Sequence, residues 1–480
     1  MPARIVALPA APSTLAPTTL AEALAELRSR LEIPDDFPAD VAAAAAAAAE
    51  AARLPDLDRT DLELITIDPP GAQDLDQALH LARSDGGYLV SYAIADVAAF
   101  VTSGDPVDLE ARRRGLTLYA PDTRSRLHPA VLSEGAASLL PEVTRPALLW
   151  SLRLDDAGEL LETDVRRALV RSREQLSYEQ AQAELDGGQP RETLALLVEV
   201  GRLREERERD RGGVSLQIPS QEIQVDAAGR YSLTYRATLA VEDYNAQISL
   251  LTGAAAARLM LDGRIGILRT LPPADPGALR RLRRTARALQ IAWPDDQDYP
   301  EFVRSLDPAV PAHAAMLNAC TELFRGAGYE AFDGERPEHS RHAALAIEYA
   351  HVTAPLRRLV DRFTGEVCVA LCAGEPVPDW TRSALPGLPD LMAAAESRAK
   401  KYERAIIDLV EVSLLHDRVG DTFTGSVIDI ESDGRKGVVM VADPAVQGRV
   451  RGDQLLLGSE VRLRLTSADW ESGRVEFEVV

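Results

Sequence analysis

The stretch Thr66-Ile-Asp-Pro-Pro-Gly-Ala-Gln-Asp-Leu-Asp-Gln77 restricts this chain more than any other. It crowds Asp68, Asp74 and Asp76 onto one short segment. Pro69, Pro70 and Gly71 keep that segment out of regular helix and central strand. An apolar alternation follows from Ala78 to Ala82, then the turn Asp85-Gly86-Gly87 and a second apolar run, Tyr88 to Ala95. Asp-Gly between two alternating runs signals a hairpin. The acidic loop is therefore expected to be pinned to a buried hairpin. Like charges on a rigid loop repel one another, and a divalent cation among them relieves the repulsion. Oxygen-only ligands suit Mg²⁺ or Mn²⁺. The competing reading is a solvated acidic turn, since the whole chain is acidic.

A chain of 480 residues is long enough for two to four domains. The net charge of −22 is unusual for a nucleic-acid binder, but a binding channel needs only local positive potential. Arginine supplies nearly all the positive charge, and its planar fork matches phosphate. Three cysteines, Cys320, Cys368 and Cys372, are too few and odd in number for a disulfide framework. Met1 to Leu15 lacks the apolar core of a signal peptide, and no apolar run is long enough to span a membrane. A cytoplasmic, monomeric, membrane-free protein is the expectation.

In chain order, residues 1–57 read as a small helical, helix-turn-helix-like module or a helical arm packed on the next domain. Thr18 to Leu31 has helical spacing, and Asp40 is placed to cap a second helix through the alanine run. Residues 58–416 begin rich in strands, with a second hairpin about Asp155-Asp156-Ala-Gly158. Helix is expected from Ser177 to about Arg211, strands at Leu216 to Val225 and Tyr231 to Ala237, then mostly helix. Strands followed by helices indicate an α+β domain. Residues 421–480 hold five short strands between Gly, Asp and Ser, the pattern of an OB-type barrel. The fold class expected is thus α+β multidomain with a C-terminal OB-type β-barrel. On that barrel Arg449, Arg451, Arg462 and Arg464 could follow phosphates, and Phe423 could stack a base.

Thr66-Ile-Asp-Pro, Asp74-Leu-Asp76 and Ile94-Ala-Asp-Val97 together resemble the signature of the ribonuclease II (RNB) family. A second segment, Tyr349-Ala-His-Val-Thr-Ala-Pro-Leu-Arg357-Arg358-Leu-Val-Asp361, resembles the family's arginine motif. The resemblance implies a processive, hydrolytic 3′-to-5′ exoribonuclease that uses Mg²⁺ and releases nucleoside 5′-monophosphates. It implies two cold-shock barrels at the N-terminus, which fewer than sixty residues cannot hold, so that part is expected to be replaced or lost. A more open channel mouth, working closer to base-paired stems, follows as an expectation.

Carried over residue by residue, Asp68, Asp74 and Asp76 match the first three metal-binding aspartates. Gln77 stands where the family has a fourth and is expected to ligate the metal through its uncharged amide oxygen, and Asp96 could also contribute. Arg357 matches the arginine that grips the scissile phosphate, with Arg358 beside it on RNA. Pro355 is placed to open a helix whose N-terminus favours phosphate. Tyr119, in Gly115-Leu-Thr-Leu-Tyr119, matches the tyrosine that stacks on the 3′-terminal nucleotide. Glu242 is the candidate for the ribose 2′-OH, or simply favours a helix N-terminus. Glu403, in Glu403-Arg404-Ala-Ile-Ile-Asp408, matches a family glutamate near the active site. The catalytic set is then Asp76, Arg357 and Glu403, with single-stranded RNA 3′ ends, and structured RNA, as partners. The alternative is a weak or inactive RNB-fold protein that binds RNA for regulation.

Overall fold

The computed structural model describes residues 18–215, 220–225, 231–236, 238–432 and 434–480. The residues before Thr18 and the first part of the strand expected from Leu216 lie outside them.

Helix α1 (Thr18–Arg30) and helix α2 (Ala39–Glu50) are the first elements of the described residues. Leu20, Leu24 and Leu27 fall on one helical face and are fully buried. Asp40 lies inside the first turn of α2, and Pro38 takes the cap position. The two helices do not form a helix-turn-helix bundle. Each packs separately on residues 58–416, α1 against the helix that ends that region and α2 near its start, where its short apolar face finds a larger partner.

Strands β1 (Leu64–Asp68), β2 (Gln77–Ser84) and β3 (Gly87–Ala95) carry the acidic loop between β1 and β2. Helix α3 (Pro106–Arg114) follows, then the two-residue strands β4 (Leu118–Tyr119) and β5 (Arg124–Ser125). Long strands β6 (Thr144–Asp155) and β7 (Leu160–Ser177) complete a closed barrel in the order β1-β2-β3-β6-β7. Closure comes from parallel pairing of β1 with the far end of β7, Asp68 opposite Ser177. Tyr92, Ile94, Trp150 and Leu152 are fully buried in its core.

Helix was expected without a break from Ser177 to Arg211. Two helices are found, α4 (Tyr178–Asp186) and α5 (Glu192–Asp210), parted at Gly187-Gly188-Gln189-Pro190. A reciprocal Ser177–Gln180 capping box starts the first of them. The hairpin β8 (Ser220–Val225) and β9 (Tyr231–Arg236) leads into the long helix α6 (Ala240–Gly263). Strands β10 (Ile265–Thr270) and β11 (Gly328–Asp333) pair around helices α7 (Pro276–Ala288), α8 (Tyr299–Arg304) and α9 (Pro311–Cys320). The short pair β12 (Arg341–His342) and β13 (Ile347–Glu348) precedes helices α10 (Leu359–Ala373), α11 (Asp379–Ala384) and α12 (Leu388–Leu415). The cysteines are free, Cys320 and Cys368 being buried core residues.

A second closed barrel ends the chain. Strands β14 (Thr422–Ile430), β15 (Lys436–Val441), β16 (Val446–Arg451), β17 (Glu460–Asp469) and β18 (Arg474–Val479) close in the order β14-β15-β16-β18-β17. All five lie where the alternation placed them. Among the described residues no helix is long and apolar enough to cross a membrane.

Candidate active site

The acidic loop is held from several sides. Leu75 is fully buried and its N–H donates to Ser138 Oγ at 2.9 Å. Ser138 in turn donates to the Gln73 carbonyl at 2.6 Å, and Gln175 Nε2 donates to the Ala72 carbonyl at 2.8 Å. Such anchoring makes this a fixed loop at the barrel mouth rather than a solvated surface turn.

Its carboxylates face different partners. Asp76 is buried, and its Oδ1 accepts the Leu356 N–H at 2.7 Å. Arg357 Nε stands 3.3 Å from Asp76 Oδ2. Asp74 accepts the Tyr119 hydroxyl at 2.9 Å and lies 3.6 Å from Arg124. Asp68, at the end of β1, has a buried Oδ2 with no hydrogen-bond partner. Burial pushes Asp68 up to about 7, with the charge of Asp74 adding to the shift. Burial likewise pushes Asp76 up to about 8, against the pull of Arg357 and the Leu356 N–H. Two buried carboxylates that resist ionisation, one with an orphaned oxygen, make a site that lacks positive charge.

That shortage fits a divalent cation, and the donors are all oxygen. Among the described residues no three His, Cys, Asp or Glu side chains form a ready-made ligand shell. Mg²⁺ commonly takes only one or two carboxylates and completes its shell with water and substrate phosphate oxygens. Asp68 and Asp76, with Asp74 beside them, meet that requirement.

Gln77 is placed differently from the expectation that it ligates metal. Its Nε2 donates to the Thr353 carbonyl at 2.7 Å. Its Oε1 accepts the Tyr92 hydroxyl and the Ser249 hydroxyl, the latter at 3.3 Å. Both lone pairs of the amide oxygen are engaged, so Gln77 fastens the acidic loop to the Arg357 segment. Asp96 does not substitute for it. Asp96 is buried against Arg167, 2.9 Å away, which also pairs with Glu366.

Arg357 lies in a turn, because α10 begins only at Leu359. Its side chain is half exposed even though protein atoms crowd the cleft around it. Arg358 is not available to RNA as expected. It forms a fork on Asp361, whose Oδ1 also accepts the Ala354 N–H at 2.7 Å. The pair holds the turn that presents Arg357.

Glu242 accepts both Arg236 and the Leu239 N–H, at 2.6 and 2.9 Å, so it caps α6. The charges of Asp68 and Glu242 both act on Tyr178, whose hydroxyl burial pushes up to about 12. The start of α6 therefore borders the acidic loop. One turn on, Asn245 has a buried Oδ1 without a partner. Sequence reasoning missed Tyr178, because only the barrel closure, which pairs Ser177 with Asp68, brings it beside the acidic loop. Glu403 is exposed on α12, the helix that packs against β4. Phe423 does not present its ring to a base. It is buried in the C-terminal barrel, edge-on to Phe477, with Arg418 over its face at 4.6 Å.

A barrel whose mouth sets buried carboxylates against an arginine can hold a phosphodiester between cation and guanidinium. Joined to a C-terminal OB-type barrel, it defines a nuclease-like, two-barrel class. Residues 57–367 match the RNB domain, and residues 421–480 match the RNase II-type exonuclease C-terminal S1 domain. The first match covers more than half of the chain, which therefore belongs to the RNB family. Ribonuclease R of Aquifex aeolicus is 25% identical over 454 residues, covering 86% of this chain and 63% of that protein. Ribonuclease R of Escherichia coli is 25% identical over 472 residues, covering 88% of this chain and 57% of that protein. The chain thus spans about three-fifths of the length of these relatives. The apo form of Mycoplasma genitalium RNase R superposes with a TM-score of 0.86 at 19% identity, covering 96% of this chain and 78% of that one. The same enzyme has been solved in complex with double-stranded RNA. The likeness fixes the shared fold.

Proposed function

We propose that this protein is a divalent-metal-dependent exoribonuclease that hydrolyses RNA from the 3′ end and releases nucleoside 5′-monophosphates. The observation that carries the reading is the Asp68–Asp76–Arg357 arrangement. Buried carboxylates with raised pKa values and an orphaned oxygen face a half-exposed guanidinium. Membership of the RNB family and ribonuclease R relatives support the same direction.

Asp68 and Asp76 would hold the cation, with Asp74 bordering it. Such an ion, when bound, lowers the pKa of water and neutralises a phosphate oxygen. This chain's own groups do the rest. Arg357 meets the charge that grows on the phosphate in the transition state, where preorganised donors are worth most. The Leu356 N–H and Arg357 orient Asp76. Tyr119, tethered through its hydroxyl to Asp74, offers its ring to the terminal base, and stacking contributes about 1–3 kcal/mol without sequence preference. Tyr178 and Asn245 line the path by which the strand reaches Asp68. The substrate class is RNA with a free 3′ end, whether or not a stem lies behind it.

Product identity tests this. Uniformly labelled RNA with Mg²⁺ or Mn²⁺ should yield nucleoside 5′-monophosphates. Nucleoside 3′-phosphates, or internal fragments without mononucleotides, would overturn the reading.

A further inference from the structure

The tyrosine hairpin, β4 and β5, is held on both faces. Inward, the cross-strand neighbours Tyr119 and Arg124 both reach Asp74. Outward, the alternate pair Leu118 and Ser125 meets the N-terminal arm. Leu118 and Ala120 are buried in one cluster with Leu20, Leu24 and Leu27 of α1 and Tyr402 and Ile406 of α12. Ser125 Oγ donates to the Pro34 carbonyl. At the tip, closed by a 2.9 Å bond from the Ala120 N–H to the Thr123 carbonyl, Arg28 Nη1 donates to both oxygens of Asp122, at 3.1 and 2.8 Å. At the base, buried Arg114 lies 3.7 Å over the Phe37 ring. Its Nη2 donates to the Asp36 carbonyl at 2.8 Å, and its Nη1 donates to the Arg126 carbonyl at 2.9 Å.

A two-residue-stranded hairpin cannot hold its own shape in water. Here side-chain alternation gives one face to the acidic loop and the other to residues 20–37. We propose that this arm is a clasp that sets the position of Tyr119 and Arg124 over Asp74, with Arg28 and Asp122 as its positioning residues. Helix α1 and the segment after it then act in the reaction through the hairpin, as the part that fixes how firmly a 3′ end is gripped. Arg28 is largely covered and Asp122 only a quarter exposed, so the pair is shielded more than an ordinary surface ion pair.

The inference rests on the exoribonuclease reading for its kinetic consequence, but the clasp has a readout of its own. Arg28→Glu, Asp122→Arg and the double exchange are compared with the unaltered chain by hydrogen exchange across residues 116–126. Each single variant should exchange faster there, and the double exchange should recover protection. On short single-stranded RNA, each single variant should raise KM about 5- to 20-fold and leave a longer end product, with kcat within about twofold. Arg28→Lys, which keeps charge but loses the fork, should fall between. Where a single variant fails to fold, Ser125→Ala provides the same comparison. Unchanged exchange and KM in the single variants, or a well-folded double exchange that recovers neither, would overturn the clasp. An unaltered chain that degrades no RNA would sink the exoribonuclease reading, while the exchange data would still decide the clasp.

Discussion

The side-chain amide of Gln77 reaches the carbonyl of Thr353 at 2.7 Å and so ties the acidic loop to the turn carrying Arg357. The two strongest motifs of the chain are joined by a neutral side chain. Gln77→Ala leaves the Tyr92 hydroxyl and the Thr353 carbonyl without this partner. An orphaned buried polar group costs about 1–3 kcal/mol, so the variant should melt several degrees lower. Gln77→Asp is shorter, has no N–H for Thr353 and adds a fourth carboxylate to Asp68, Asp74 and Asp76. It should be less stable and no more active at low metal concentration. A rise in activity would show that position 77 is a ligand site after all.

Metal and protons should compete. The folded-state pKa values of Asp68 and Asp76, about 7 and about 8, lie above the unfolded value. The folded state then binds more protons than the unfolded chain between about pH 4 and pH 8, so the metal-free protein loses stability as pH rises through that window. A cation replaces those protons. The rise in Tm on adding Mn²⁺ or Mg²⁺ should therefore be small at pH 6 and larger at pH 8, measured by thermal melting with EDTA controls. A metal-induced shift that is the same at both pH values would contradict the assignment.

Arg357 and Arg358 should separate cleanly. Arg357 is half exposed and faces Asp76, so Arg357→Ala should keep the fold and lower kcat about 10²- to 10³-fold. Arg358 is mostly covered and paired with a fully buried Asp361, and removing one member of such a pair costs about 3–5 kcal/mol. Melting curves and single-turnover rates on both variants check this. The reverse pattern would exchange their roles.

Phe423→Ala tests whether that ring binds RNA or packs the barrel. A buried Phe→Ala change costs about 3–5 kcal/mol. The C-terminal barrel should lose stability in chemical denaturation. RNA affinity of barrels that remain folded should change little.

The sequence alone showed the C-terminal barrel, because each of its strands alternates locally and is bounded by Gly, Asp or Ser. The acidic loop and Arg357 segment were legible for the same reason: each is a short motif with its own local chemistry. What stayed hidden depends on closure. Nothing near Leu64 announces that it will pair in parallel with the far end of β7, so the catalytic barrel itself was not foreseen. The partners of Gln77 lie at Tyr92, Ser249 and Thr353, which no spacing rule links. Phe423 was misread because an aromatic at a strand start looks the same whether its face turns to solvent or to Phe477. The arm was read correctly as helical, but its packing partners are set by tertiary contact, not by helical period.

The most direct test of the account uses 5′-labelled single-stranded RNA with purified protein and Mg²⁺, beside an EDTA control and the Asp76→Asn variant. The account predicts a ladder that shortens from the 3′ end to a short oligonucleotide, lost in both controls. RNA that is bound yet left intact with either Mg²⁺ or Mn²⁺ would contradict it, and would leave an RNA-binding protein on a nuclease fold.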